Sequence, residues 1–153
     1  MGGLVFPLLD PLPCYVPPHE ATDDVLAERF PLVLLAPAGR FFLNSTFAQL
    51  PWHRLKQGPP TVYLSPADAA ARGIVTGTQV RCFNDRGAWQ GVAEVTDATR
   101  PGVAFTLKTQ WPSLSAGGTN VNACTPERDA DMAGAPTFHD NRVEIAVAPF
   151  DGQ

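Results

Sequence analysis

The chain has 153 residues, is 44% apolar and 17% charged, and carries a net charge of −4, so it can form one domain that buries roughly 70% of its unfolded surface without disulfide staples. It has no run of Lys or Arg, which excludes the electrostatic footprint of a nucleic-acid or acidic-membrane binder. The three cysteines, Cys14, Cys82 and Cys124, are far apart and free of any CxxC spacing; that argues against a disulfide framework, a zinc site or an iron–sulfur cluster and for reduced thiols in a cytoplasmic chain.

The first stretch, "MGGLVFPLLDPLPCYVPPHE", is apolar but lacks a basic n-region, and Pro7, Pro11, Pro13, Pro17 and Pro18 break any helical core of a signal peptide. No apolar run approaches the roughly 20 residues of a membrane span, so no membrane insertion is expected. The prolines predict an extended arm or linker over residues 1–29, ahead of a domain at 30–150.

From Phe30 the pattern changes. "LVLLA" (32–36) and "TVYLS" (61–65) are short apolar runs bounded by Pro and Gly, which predicts buried strands. "SPADAAARG" (65–73) offers Ser65 as N-cap, Pro66 at the first helical position, Asp68 three residues after the cap and Gly73 as stop, hence a short helix. "TQVRCFNDRGAWQGVAEVTD" (78–97) alternates about Asn84-Asp85-Arg86-Gly87, where a left-handed Gly87 would close a bulged hairpin between strands near 79–84 and 88–96. "GVAFTL" (102–107) and "RVEIAVA" (142–148) add two more strands. These elements predict a mainly β fold, a small barrel with short helices and two long polar loops, 37–60 and 110–141. Connections of that length inside a compact domain are usually functional.

Both loops are rich in neutral hydrogen-bonding groups. The first contributes Arg40, Asn44, Ser45 and Thr46; the second contributes Gln110, Trp111, Asn120, Asn122, Thr125, His139, Asp140 and Asn141, with Gly117-Gly118 allowing close backbone approach. Planar amides suit heterocycle edges, and hydroxyls and a guanidinium suit phosphate oxygens. The alternative is that Asn44 or Ser45 caps a short helix "TFAQL" and the remaining amides satisfy turn backbone.

The segments "FPLVLLAPAGRFFLNSTF", "VYLSPADAAARGIVTGTQVRCFNDRG", "VTDATRPGVAF" and "VNACTPERDADMAGAPTFHDNRVEI" together resemble the C-terminal molybdopterin dinucleotide-binding domain of the dimethyl sulfoxide reductase and formate dehydrogenase family of molybdenum or tungsten oxidoreductases. The likeness covers about residues 30–148. It implies a double-psi β-barrel of the aspartate-decarboxylase-like kind that closes over bis-molybdopterin guanine dinucleotide and is not catalytic alone. It also implies that Arg40, Asn44, Ser45 and Thr46 contact pterin and phosphate groups, that Asn120 and Asn122 face the pterin, and that Phe138, His139, Asp140 and Asn141 close the site. Trp111 is a further candidate for stacking near the ligand. The metal ligand and redox centres would lie in the remaining domains of a larger molybdoenzyme, the partners expected here.

Two other classes compete with that reading, an independent enzyme and a non-catalytic interaction barrel. An independent hydrolase could be built from Ser45, His53 and Asp68, yet no GxSxG elbow supports it. A pyruvoyl-dependent decarboxylase of the same barrel class is disfavoured, because that family makes its pyruvoyl group by cleavage at Gly-Ser, a dipeptide this chain does not contain. The remaining alternative is a non-catalytic double-psi barrel that recruits substrates for an unfolding ATPase, but the basic groove expected of it is not evident.

Overall fold

A computed structural model describes residues 15–108, 111–130 and 134–148. Six strands close into a barrel in the order β1-β5-β2-β4-β3-β6. They are β1 (Leu32–Leu35), β2 (Thr61–Leu64), β3 (Gln79–Phe83), β4 (Ala88–Val95), β5 (Val103–Thr106) and β6 (Arg142–Val147). Three short helices accompany them: α1 (Asp24–Arg29), α2 (Pro51–Gln57) and α3 (Pro66–Ala70). The expected strands appear with bounds shifted by a residue or two, whereas α1 and α2 lie where the sequence suggested arm and loop.

Alternation explains the barrel. Each strand turns every second residue inward, so Leu32 and Leu34, Val62 and Leu64, Val80 and Cys82, Trp89 and Ala93, and Val143 and Ile145 meet in one buried cluster. Two of the pairings are parallel: β1 with β5, in which Val33 faces Val103, and β2 with β4, in which Val62 faces Ala93. The two polar loops arise where the chain joins strands that are not neighbours in the barrel, β1 to β2 past β5 and β5 to β6 past β1. Thr106, a buried hydroxyl on an inward strand position, is satisfied by donating to the Thr61 carbonyl at 2.7 Å.

Local chemistry at α3 follows the sequence reading. Ser65 Oγ accepts from Asp68 N at 3.1 Å and donates to Asp68 Oδ2 at 2.6 Å, and the same carboxylate accepts from Gly102 N at 2.9 Å. A cap thereby ties the helix to the turn before β5.

The hairpin between β3 and β4 is present, but its glycine works differently from the expectation. Gly87 is not in the left-handed region. The turn is closed instead by Asn84, whose Oδ1 accepts from Arg86 N at 3.0 Å and whose N–H donates to the Gly87 carbonyl at 3.0 Å. Glycine is needed at 87 for space, because a Cβ there would lie 2.8 Å from the Ala123 carbonyl oxygen.

The described residues just before β1 are bound to the barrel. Asp140 accepts from His19 N at 2.8 Å and from Glu20 N at 2.9 Å. Arg142 donates from Nε to the Glu20 carbonyl at 2.6 Å and from Nη2 to the Ala21 carbonyl at 2.9 Å. Among the described residues no helix is long and apolar enough to cross a membrane.

Cys82 and Cys124 are both fully buried free thiols, and burial pushes the Cys82 thiol well above its ordinary range. Cys14 lies outside the described residues. A thiol reagent added to native protein should therefore leave Cys82 and Cys124 unmodified until denaturant is added. Native labelling of Cys82 at the rate of an exposed thiol would contradict the β3 assignment.

Candidate functional site

The two polar loops meet at one end of the barrel. A cleft of about 300 Å3 is lined by Asn44 and Ser45 from the first loop, by Asn120, Val121, Asn122 and Thr125 from the second, and by Ala36, Lys108 and Phe138. The parallel β1–β5 pairing produces this meeting, since it continues into an isolated bridge between Ala38 and Lys108 and so sets the end of β5 beside the exit of β1.

On the first loop, Asn44 has φ +51 and Phe47 φ +74. The left-handed region costs a residue with a Cβ roughly 1–2 kcal/mol, least for Asn. Such strain, with two instances three residues apart, marks a loop shaped by something other than its own backbone preference. The loop is stapled by the reciprocal bonds Leu43 N to Thr46 O at 3.2 Å and Thr46 N to Leu43 O at 2.9 Å. Neither Asn44 nor Ser45 caps a helix: α2 begins only at Pro51, with Leu50 as its N-cap. The side chains of Asn44 and Ser45 make no hydrogen bond among the described residues, and both residues are exposed and line the cleft.

On the second loop, a 3-10 turn at Val121–Cys124 is capped by Asn120, whose Oδ1 accepts from Asn122 N at 3.0 Å. Half of the Asn120 amide therefore shapes the turn. Lys108 sits with its ammonium 4.8 Å from the centre of the Phe138 ring, a cation–π contact that holds a positive charge at the cleft wall. His139 packs against Phe138, and its Nδ1 accepts from Ala36 N at 3.4 Å. Burial, with Lys108 adding to it, moves the His139 pKa below its ordinary value, so the ring stays neutral as that acceptor role requires.

The expected residues thus divide. Asn44, Ser45, Asn120, Asn122 and Phe138 come together in the cleft. Arg40 is exposed and Thr46 is part of the loop staple, and neither lines the cleft. Trp111 bridges the loops, donating from Nε1 to the Ser45 carbonyl at 3.0 Å. His139 and Asp140 line a neighbouring groove with Val16, Pro17 and Pro18, and Asn141 is buried, donating from Nδ2 to the Phe138 carbonyl at 3.0 Å. The hydrolase triad does not assemble: His53 Nδ1 is bonded to the Phe41 carbonyl at 2.7 Å, and Asp68 serves Ser65 and Gly102.

Lys108 was not among the expected site residues, and Thr125 was expected only as one polar group of the second loop, with no contact assigned to it. The signal for Lys108 was available, since it is the lone base directly after β5, where a strand end opens into the long loop. Chemically the cleft offers amide edges, hydroxyls, one ammonium and an aromatic face, which is a donor set for a heterocycle bearing phosphate. At about 300 Å3 it is at the small end for a ligand pocket and would take only part of a dinucleotide.

Comparison with known proteins agrees with this chemistry. The "Molydopterin dinucleotide binding domain" family matches residues 32–142. A probable oxidoreductase, YoaE of Bacillus subtilis, is 34% identical over 134 residues, 88% of this chain and 19% of that protein. The dimethyl sulfoxide reductase DmsA of Escherichia coli is 32% identical over 143 residues, 90% of this chain and 17% of that protein. The chain therefore spans under a fifth of the length of these curated relatives. Among solved structures, acetylene hydratase from Pelobacter acetylenicus superposes with a TM-score of 0.78 over 91% of this chain and 22% of that one, at 20% identity, a likeness of fold.

Proposed function

This chain belongs to the molybdopterin dinucleotide-binding domain family of dimethyl sulfoxide reductase-type oxidoreductases, and from that membership we propose that the cleft between its two polar loops is where the cofactor, molybdopterin guanine dinucleotide, is held. One observation carries the reading: loops some 75 residues apart place Asn44, Ser45, Asn120 and Asn122 around one cavity beside Lys108.

In that role the Asn44 and Asn122 amides would bind pterin edges. The Ser45 and Thr125 hydroxyls and the Lys108 ammonium would bind phosphate oxygens, and Phe138 would cover a ring face. Arg40 and Thr46, exposed and outside the cleft lining, would meet parts of the ligand that extend beyond the cavity. When bound, the group supplies the molybdenum- or tungsten-centred redox chemistry of the parent enzyme. This domain's own work is to bind, orient and shield it from water.

Residues 30–150 would form the cofactor domain and residues 1–29 the arm that leads into it from the other domains of that enzyme. Two buried thiols left unpaired, Cys82 and Cys124, favour a reducing, cytoplasmic setting.

The purified chain should bind cofactor released anaerobically from a molybdoenzyme, with one saturable site followed by pterin fluorescence. It should show no reductase or dehydrogenase turnover with artificial electron donors. Absence of saturable binding would remove the cleft assignment, and turnover by metal-free chain would overturn the division of labour.

A further inference from the structure

The turn between β3 and β4 touches the second loop from outside the cleft, at several independent points. Asn84 Nδ2 donates to the Cys124 carbonyl at 2.9 Å and to the Arg142 carbonyl at 3.0 Å. Arg86 Nε donates to the same Cys124 carbonyl at 2.9 Å. The Cys124 thiol lies 3.7 Å from the Gly87 carbonyl, and the missing side chain of Gly87 makes room for the Ala123 carbonyl. Cys124 is the last residue of the 3-10 turn that Asn120 caps and that includes Asn122.

Arg86 has a second attachment. Its Nη1 and Nη2 meet the Glu20 carboxylate at 2.6 and 3.2 Å, and Glu20 Oε2 also accepts from Arg142 N at 2.7 Å. One guanidinium thus joins the arm to the loop, using the fork geometry that a lysine lacks.

Resting on the cleft assignment above, we propose that Asn84-Asp85-Arg86-Gly87 is a positioning socket: Asn84 and Arg86 hold the Cys124 carbonyl and thereby set where Asn120 and Asn122 stand toward the ligand. The barrel itself does not need these bonds, because β3 is already paired on both edges, to β4 and β6. A 3-10 turn of four residues has few bonds of its own and poor geometry, so its position depends on what grips it.

Three variants separate the parts. Asn84→Asp keeps the acceptor that closes the hairpin and removes the donor to the Cys124 and Arg142 carbonyls. Arg86→Ala removes both attachments. Arg86→Lys keeps charge toward Glu20 but loses the Nε donor. Amide hydrogen exchange reads the loop without any ligand: the Ala123 and Thr125 amides, bonded to the Asn120 and Asn122 carbonyls at 3.0 and 3.1 Å, should exchange at least tenfold faster in all three variants. Strand amides of β3 and β6 should keep their protection, and cofactor affinity should fall about tenfold. Unchanged loop exchange, or equal loosening of loop and strands, would overturn the socket. If a variant does not fold, Gly87→Ala, which pushes the Ala123 carbonyl from its seat, should produce the same local pattern, and no change at the loop would overturn the proposal as well. Should the unmodified chain bind no cofactor, the cleft assignment fails while the exchange comparison still decides the socket.

Discussion

Cofactor affinity should fall on the order of a hundredfold in the double variant Asn44→Gly with Ser45→Ala, while the unfolding free energy from a denaturant titration changes by no more than a few tenths of a kcal/mol. Both side chains are exposed at the cleft and make no hydrogen bond among the described residues, so removing them breaks nothing within the fold. Each hydrogen bond to a charged or strongly polar ligand is worth about 1.5 kcal/mol or more, and two lost together give that hundredfold. Glycine is the necessary replacement at 44. With φ at +51, alanine would add a backbone cost of roughly 1–2 kcal/mol unrelated to binding. The Ser45 carbonyl that accepts from Trp111 is retained. A stability loss with unchanged cofactor content would return both residues to the scaffold.

Leu64→Ala should cost about 2–5 kcal/mol, the range for a large-to-small change in a packed core. Leu64 is at 0% exposure at the inward end of β2, inside the cluster with Leu34, Ile74 and Ile145, and a closed barrel has little freedom to collapse onto the void. Leu55→Ala is the matched control: Leu55 is 81% exposed on α2 and should change stability by less than about 0.5 kcal/mol. A denaturant titration of the two variants checks both numbers, and similar losses would mean that α2 is packed as the barrel is.

That contrast also separates what local sequence could say from what it could not. The strands were legible because inward and outward residues alternate with the pleat, as Val62 and Leu64 or Val80 and Cys82 show. Helix α3 was legible because Ser65, Pro66 and Asp68 are a local code read within four residues. Helix α2 was missed: its N-cap is Leu50, with no side-chain cap bond, and it buries no residue. Its aromatic neighbours are held by contacts such as Phe47 stacked on His53, which depend on a left-handed Phe47 that no propensity suggests. Gly87 was read as a left-handed turn residue because the sequence shows only the missing side chain; the carbonyl of Ala123 that fills its place comes from 36 residues further on.

Sequence by itself determined the inward face of each strand, the family and the polar character of both loops, since periodicity and residue chemistry are carried by neighbouring positions. Tertiary structure alone decided which polar groups share a cavity. Closing the barrel with β1 parallel to β5 carried Lys108 to the exit of β1 and beside Phe138. The same closure turned Asp140 toward the arm, Trp111 into a brace on Ser45 and Asn141 into the interior. These assignments depend on register between strands some 70 residues apart, and a register fixed by barrel closure has no signature in the residues on either side of it.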